Sequence, residues 1–269
     1  MTAKRWPILV IAAACLLGAP KPAAATAIAN SSIDFKNLAI TPAAGGFSFD
    51  GPWFLEAFAE ADNSLVDPSA DFAFSMSPDT IGAAAAVTWA SATGAASAPN
   101  SPPDLAVTGA ASSDVNIPGC GPAFASSKGR GTLFNFFTLA GGGPSVDVKF
   151  AIDIAGLLNV MTDACGLSAM TETVFTLEVD GTPILFRDDI LSIGPNDSAS
   201  LSFSTTLMAS VMLDSFDPAG NPLSHFLLLE VDSESSGLVP EPPAGLLLIA
   251  GLAALAAARR RVVPVLLEK

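Results

Sequence analysis

The sequence predicts an all-β fold: a single β-sandwich, or a jelly-roll-like variant of one, set between two hydrophobic termini. Three observations predict it. Short runs alternate apolar and polar residues with period 2. β-branched and aromatic residues fill the apolar positions. Clusters of Gly, Pro, Asn and Asp punctuate the runs.

The strand candidates follow in order. Ile33-Asp34-Phe35 opens the alternation, and Gly46–Asp50 and Asp71–Met76 repeat it. Thr132–Leu139 is aromatic-rich. Ser145–Ile154 places Val146, Val148, Phe150, Ile152 and Ile154 on one face. Thr173–Val179, Ser200–Leu213 and His225–Val231 complete the set. Asp180-Gly181-Thr182-Pro183 reads as a hairpin turn, and Gly194–Asp197 and Asp217–Pro222 as turn-bearing loops. Ala151–Cys165 reads as a loop or a short helix. Ala83–Pro103, rich in Ala, Ser and Pro, reads as a long loop around one short strand, Ala86–Trp89. On this reading the ectodomain spans residues 28–232 and a polar linker occupies Ser233–Leu238.

Charge is distributed unevenly. Between Asn30 and Leu238 five Lys/Arg stand against 24 Asp/Glu, a net charge of −19. The remaining positive charge sits at the ends. So acidic a body repels phosphate backbones, which argues against nucleic-acid binding, and it suits solubility outside the cell.

The first 27 residues have the layout of a secretory signal peptide. Lys4 and Arg5 precede an apolar run of 11 residues, Ile8–Gly18, and small residues follow. The run is too short to cross about 30 Å of hydrocarbon as a helix. Ala25-Thr26-Ala27 places the signal peptidase cut after Ala27, with Ala25 as the alternative. Cys15 falls inside this segment. Ala12-Ala13-Ala14 before it lacks the Leu that a lipoprotein signal carries. That leaves Cys120 and Cys165 for the exported body, an even count best read as one disulfide. Both lie beside glycine, hence in turns.

The body offers little catalytic chemistry. His225 is its single histidine and starts a strand, which favours a structural role over that of a triad base. Gly141-Gly142-Gly143-Pro144 lacks the Lys and the helix of a phosphate loop. Carboxylate pairs occur at Asp188-Asp189, Asp214 with Asp217, and Asp232 with Glu234. A glycosidase needs two such groups across a cleft, and loop acids exposed to solvent are the simpler reading. Asp214–Asn221 is the best-placed calcium loop, though it has no EF-hand spacing. Trp53 and Trp89 read as core aromatics rather than a carbohydrate platform. The chain contains no Tyr, the residue favoured where one end of a ring must be wet. No enzyme, cofactor or metal is expected.

The C-terminus is the most specific segment. Val239-Pro240-Glu241-Pro242 precedes Ala244–Ala258, 15 uncharged residues rich in Leu and Ala. As a helix these cover about 22 Å, short of a comfortable span. Arg259-Arg260-Arg261 follows, and a positive cluster stays on the cytoplasmic side, so the body faces outward. This order of motif, transmembrane helix and basic cluster over residues 239–261 resembles the PEP-CTERM sorting domain. The resemblance implies a protein that passes through the inner membrane and is cleaved near Pro240-Glu241-Pro242 by exosortase. It would then be delivered to the cell surface or extracellular matrix, with exopolysaccharide as a candidate partner. Residues 262–269 would form a short cytoplasmic tail, longer and more apolar than that family leads one to expect.

Overall fold

Alternation with period 2 governs almost the whole described chain. A computed structural model describes residues 26–77, 79–99, 105–119 and 122–240. Its strands are β1 (Thr26–Pro42), β2 (Gly46–Phe49), β3 (Phe54–Asn63), β4 (Ser69–Ser75), β5 (Thr80–Val87), β6 (Ala90–Ser97) and β7 (Thr108–Pro118). They continue as β8 (Ala123–Ala140), β9 (Ser145–Thr162), β10 (Ser168–Val179), β11 (Thr182–Ile193), β12 (Ser198–Asp214) and β13 (Ser224–Val239). Two antiparallel sheets result. Sheet A has the order β12-β9-β1-β7-β6-β5. Sheet B has the order β11-β10-β13-β8-β3-β4, with β2 sharing the β3 side of β8.

The two sheets pack face to face, and their inward residues divide the interior into zones. At one end Phe35, Phe137, Phe150, Phe175, Ile152 and Leu177 form a bulky core. At the other the interior is mostly alanine, including Ala27, Ala29, Ala57, Ala59, Ala83, Ala92 and Ala125. Three glycines bring the backbones together between β6 and β8. A Cβ on Gly94 would collide with the carbonyls of Arg130 and Phe58, and one on Gly129 with those of Thr93 and Ser112. One on Gly131 would strike the carbonyl of Ala95.

Between the bulky end and the alanine end lies a buried hydroxyl network. Ser31 of β1 bonds Ser113 of β7 at 2.8 Å and Ser233 of β13 at 2.7 Å. Ser113 also reaches Ser233 (2.9 Å) and Ser235 (2.8 Å), and Thr171 of β10 joins Ser235 at 2.9 Å. Buried hydroxyls are tolerable because they satisfy one another. The Oγ1 of neighbouring Thr173 has no partner among the described residues.

Turn chemistry follows the sequence where the turn is tight. Asp180 (φ 53°) and Gly181 (φ 75°) form the two-residue connection of β10 to β11, with Val179 opposite Thr182. Asn37 (φ 56°) sits at the bulge in β1, where its amide donates to Asp153 at 2.8 Å.

Several expectations are corrected. Residues 83–97 are not a loop around one strand: β5 and β6 form a hairpin turning at Thr88-Trp89. Alanine has weak strand propensity, but only small side chains fit where the sheets come this close. Ala151–Thr162 is neither loop nor helix and continues β9. Ser233–Leu238 is not a linker but belongs to the second half of β13, with the Ser233 and Ser235 hydroxyls buried in the network. The described fold therefore extends from Thr26 to Val239, beyond the expected bounds of 28–232. Among the described residues no helix is long and apolar enough to cross a membrane. The signal segment up to Ala25, Glu241, Pro242, the expected span 244–258, Arg259–Arg261 and residues 262–269 lie outside the described residues.

The close approach gives a sharp contrast between two glycines. Gly94→Val should destabilise the protein by about 3 kcal/mol or more in urea unfolding, because neither facing backbone can retreat. Gly46→Ala, whose Cβ would meet nothing within 4 Å, should change stability by less than about 0.5 kcal/mol.

Candidate functional site

The outer face of sheet B collects most of the body's unusual side chains, and strand register puts them in rows. One row runs Phe186, Thr176, Glu230, Thr132, Glu56, Phe74 across the sheet. The next runs Asp188, Val174, Asp232, Arg130, Phe58, Phe72. Charges occupy the centre, and exposed aromatics occupy the edge strands β4 and β11.

The centre is an ion-pair ladder. Arg130 Nε donates to Asp232 at 2.9 Å and lies 3.8 Å from Glu230, while Lys128 is 3.7 Å from Glu234 and 3.9 Å from Asp232. Two cations do not neutralise the carboxylates around them. Burial pushes the Glu230 carboxyl above the ordinary range, against the pull of Arg130. Burial likewise raises Glu172, and Asp188 and Glu234 add like-charge repulsion.

Below the ladder lies an aromatic cluster. Phe54 stacks on Phe134 with centroids 4.7 Å apart, Phe134 meets Phe226 at 5.9 Å, and Phe226 meets Phe136 at 5.3 Å. The cluster borders a recess of about 330 Å³ lined by Asp50, Pro52, Phe54, Asn135, Phe136 and Ser224. The recess has a topological cause. β2 and β3 pair with consecutive parts of β8, so the chain between them bulges at Gly51-Pro52. Asp50 N donates to Phe136 O, Ser224 Oγ donates to Asp50, and the Asn135 amide donates to Gly51 O at 3.3 Å. Its lining combines apolar and polar side chains, the usual constitution of a small-ligand site.

His225 is buried and structural in position. Its Nδ1 lies 2.8 Å from Asp180 Oδ2 and its Nε2 lies 2.8 Å from the Asp214 carbonyl. It thereby ties the β10–β11 turn to the end of β12, with Phe137 against its ring. The carboxylates of the expected calcium loop are engaged within the protein. Asp217 Oδ1 accepts from the backbone N–H groups of Ala219 and Asn221, and Asp214 accepts from Ser145 Oγ. Among the described residues no group of three or more His, Cys, Asp or Glu is placed to hold a metal.

Two other recesses lie among the described residues. One of about 420 Å³ is lined by Val87, Trp89, Ser91, Asp114 and Asn116, and one of about 460 Å³ by Thr41, Lys149, Phe150 and Met208. None of the three recesses sets two carboxylates across from each other, which is what glycoside hydrolysis requires. Trp53 is buried, whereas Trp89 is half-buried at positive φ on a recess wall.

Of the other expected site residues, Ala27 is fully buried in β1, Val239 is buried at the end of β13, and Pro240 is exposed just beyond it. Cys165 is disulfide-bonded, and Cys120 lies outside the described residues. The aromatic cluster was not anticipated as a site. Its signal was present in the outward positions Phe134 and Phe136, but which face of that strand looks outward needs the partner sheet. No family model, no curated protein and no solved structure matches the chain.

The raised Glu172 carboxyl makes a pH-dependent prediction. Its folded value exceeds its unfolded one, so ionisation at neutral pH opposes folding, and the penalty disappears as pH falls through the raised value. Glu172→Gln should raise Tm at neutral pH, and the gain should shrink at about pH 4. A lower Tm for the variant at neutral pH would contradict this account.

Proposed function

We propose that this protein is an exported, non-enzymatic component of the cell surface or extracellular matrix, sorted by its C-terminal segment. One observation carries the reading most directly. β13, a central strand of sheet B, ends at Val239 and the chain leaves the sandwich at exposed Pro240. A protease acting near Pro240-Glu241-Pro242 would thus meet its site at the margin of a complete fold. No part of the sandwich would have to open. The tail's likeness to the PEP-CTERM domain makes exosortase the processing partner, with Arg259, Arg260 and Arg261 holding the short helix in the inner membrane until the cut.

The front of the chain fits signal peptidase removal in the same terms. β1 begins at Thr26, and Ala27 pairs with Ile117 inside the sandwich. A cut after Ala25 keeps β1 whole, whereas a cut after Ala27 removes a buried residue. The Cys120–Cys165 bridge belongs to the same reading of an exported domain. Thr26 pairs with Pro118 at the end of β7, and the Thr26 carbonyl accepts from Asp163 N. The segments next to both cysteines therefore converge on one residue.

The test is to replace Pro240-Glu241-Pro242 with alanines in cells that process the protein, then to fractionate them and map both termini. The variant should accumulate in the inner membrane with its C-terminal helix attached. The native protein should appear outside, starting at Thr26, with Cys120 and Cys165 recovered in one unreduced peptide pair. Normal release of the alanine variant would overturn the sorting role.

A second reading, a carbohydrate-binding surface module, draws on the recess beside Phe54 and Phe136. A sugar ring has an apolar face to lie on these rings and hydroxyls to reach the exposed Asp50 and Ser224. The acidic surroundings favour neutral over anionic sugars. Phe136→Ala should weaken retention on a neutral polysaccharide in affinity electrophoresis by tenfold or more, with Tm little changed. Equal retention of the variant and the native protein would exclude this site.

A further inference from the structure

Among the described residues five strands have an edge without a strand partner: β4, β5, β11, β12 and the four-residue β2. β2 is too short to template another chain, and β4, β5 and β11 carry the devices that stop an edge from pairing. β4 has only seven residues, and its Asp71 carboxylate accepts the Ala84 N–H of β5 at 3.0 Å. The β4 and β5 edges thus block each other. β11 carries Pro183, which has no N–H, together with Arg187, Asp188 and Asp189. Its pairing with β10 is broken by a register shift at Leu177/Glu178.

β12 has none of these. It runs 17 residues, SASLSFSTTLMASVMLD, with no Pro, no Gly and no charge before its last residue. It pairs with β9 in unbroken register from Ser198↔Met161 to Asp214↔Ser145. Its other edge has no strand partner among the described residues. Sheet B packs on its inner face, where Phe203, Leu207, Ala209 and Val211 meet the core and the Arg187 guanidinium lies 3.9 Å over the Phe203 ring. Met208 and Met212 are 74% and 64% exposed. In a body this acidic, a long edge without charge is an interaction surface.

We propose that the occupant of this edge is a second copy of the chain, with β12 paired antiparallel to its own counterpart about a two-fold axis at Thr206. Two arguments select a copy over another strand. Two bodies of net charge −19 repel over most of their surface, and β12 is where they can meet without opposing like charges. The strand also complements itself about Thr206. On the inner face Phe203 falls opposite Ala209, Leu207 opposite Thr205 and Leu201 opposite Val211. On the outer face Met208 falls opposite Ser204 and Met212 opposite Ser200. Large thus meets small on most of the strand's length, as cross-strand packing prefers. Asp214 falls opposite Ser198, so no like charges are juxtaposed. The contact is isologous and closes at two copies. It joins two six-stranded sheets into one continuous sheet and leaves the outer face of sheet B free.

Sedimentation velocity on the purified mature protein tests the proposal. A reversible dimer is expected with Kd in the micromolar range. Thr206→Lys sets two like charges opposite each other while staying beside Asp153, whose carboxylate Thr206 already contacts. It should raise Kd at least tenfold without lowering Tm. Thr206→Cys should be captured as a covalent dimer by a short thiol-to-thiol reagent, and Ser200→Cys, which faces Met212 of the other copy, should not. A protein that stays monomeric at all concentrations overturns the proposal, whether the edge is left open or covered by a foreign strand or by the chain's own termini. A dimer insensitive to Thr206→Lys, with no capture at position 206, overturns it as well.

Discussion

How near the two sheets can come controls this molecule. At Gly94, Gly129 and Gly131 the backbones of β6 and β8 touch carbonyl to Cα, and no side chain intervenes. At the far end Phe137, Phe150 and Phe175 fill the space between sheets with rings. These glycines stand level with the buried hydroxyls of Ser31, Ser113, Ser233 and Ser235, where the bulky zone gives way to the alanine zone. Hydroxyls are small enough for the narrow gap. Bonded to one another, they leave few buried polar atoms bare. A shift of β13 by one residue would bring Asp232 and Glu234 inside, so the network and the close approach together hold the register.

That register decides what the surface presents. Because Ser233 and Ser235 face inward, Asp232 and Glu234 face out beside Arg130 and Lys128. Because Leu133 and Phe137 face the core, Phe134 and Phe136 join Phe54 and Phe226 outside. The ion-pair ladder and the aromatic cluster are thus consequences of interior packing. The recess at Asp50–Phe54 has a related origin. β2 and β3 both pair with β8, and the chain between them must bulge.

Legibility in the sequence tracked contrast. Ser145–Ile154 and Thr173–Val179 read directly as strands because large apolar residues alternate with polar ones. Thr80–Ser97 did not, because inward alanines look no different from outward ones, and the reason for alanine is the glycine approach from another strand. Ser233–Leu238 looked like a solvated linker because serine is usually exposed. Its burial depends on three other hydroxyls, 64 to 204 residues away in the chain. The two-residue turn at Asp180-Gly181 was legible because left-handed backbone restricts residue choice locally. Phe72 and Phe74 alternate like a core strand, but β4 lies at the sheet edge and turns them outward.

By itself, the sequence determined the fold class and the acidic character of the body, and its two ends carry the motifs on which the proposed export and sorting rest. These are local or compositional properties: a period of two, a count of charges, a proline motif before an apolar run and three arginines. Only the tertiary structure decided where the body ends, which phenylalanines are surface, that His225 is a buried tie between turns, and that β12 is the unguarded edge. Each of those depends on which strand lies beside or beneath a residue. The physical reason is that burial and pairing are relations between distant segments, and no window of the chain contains both partners.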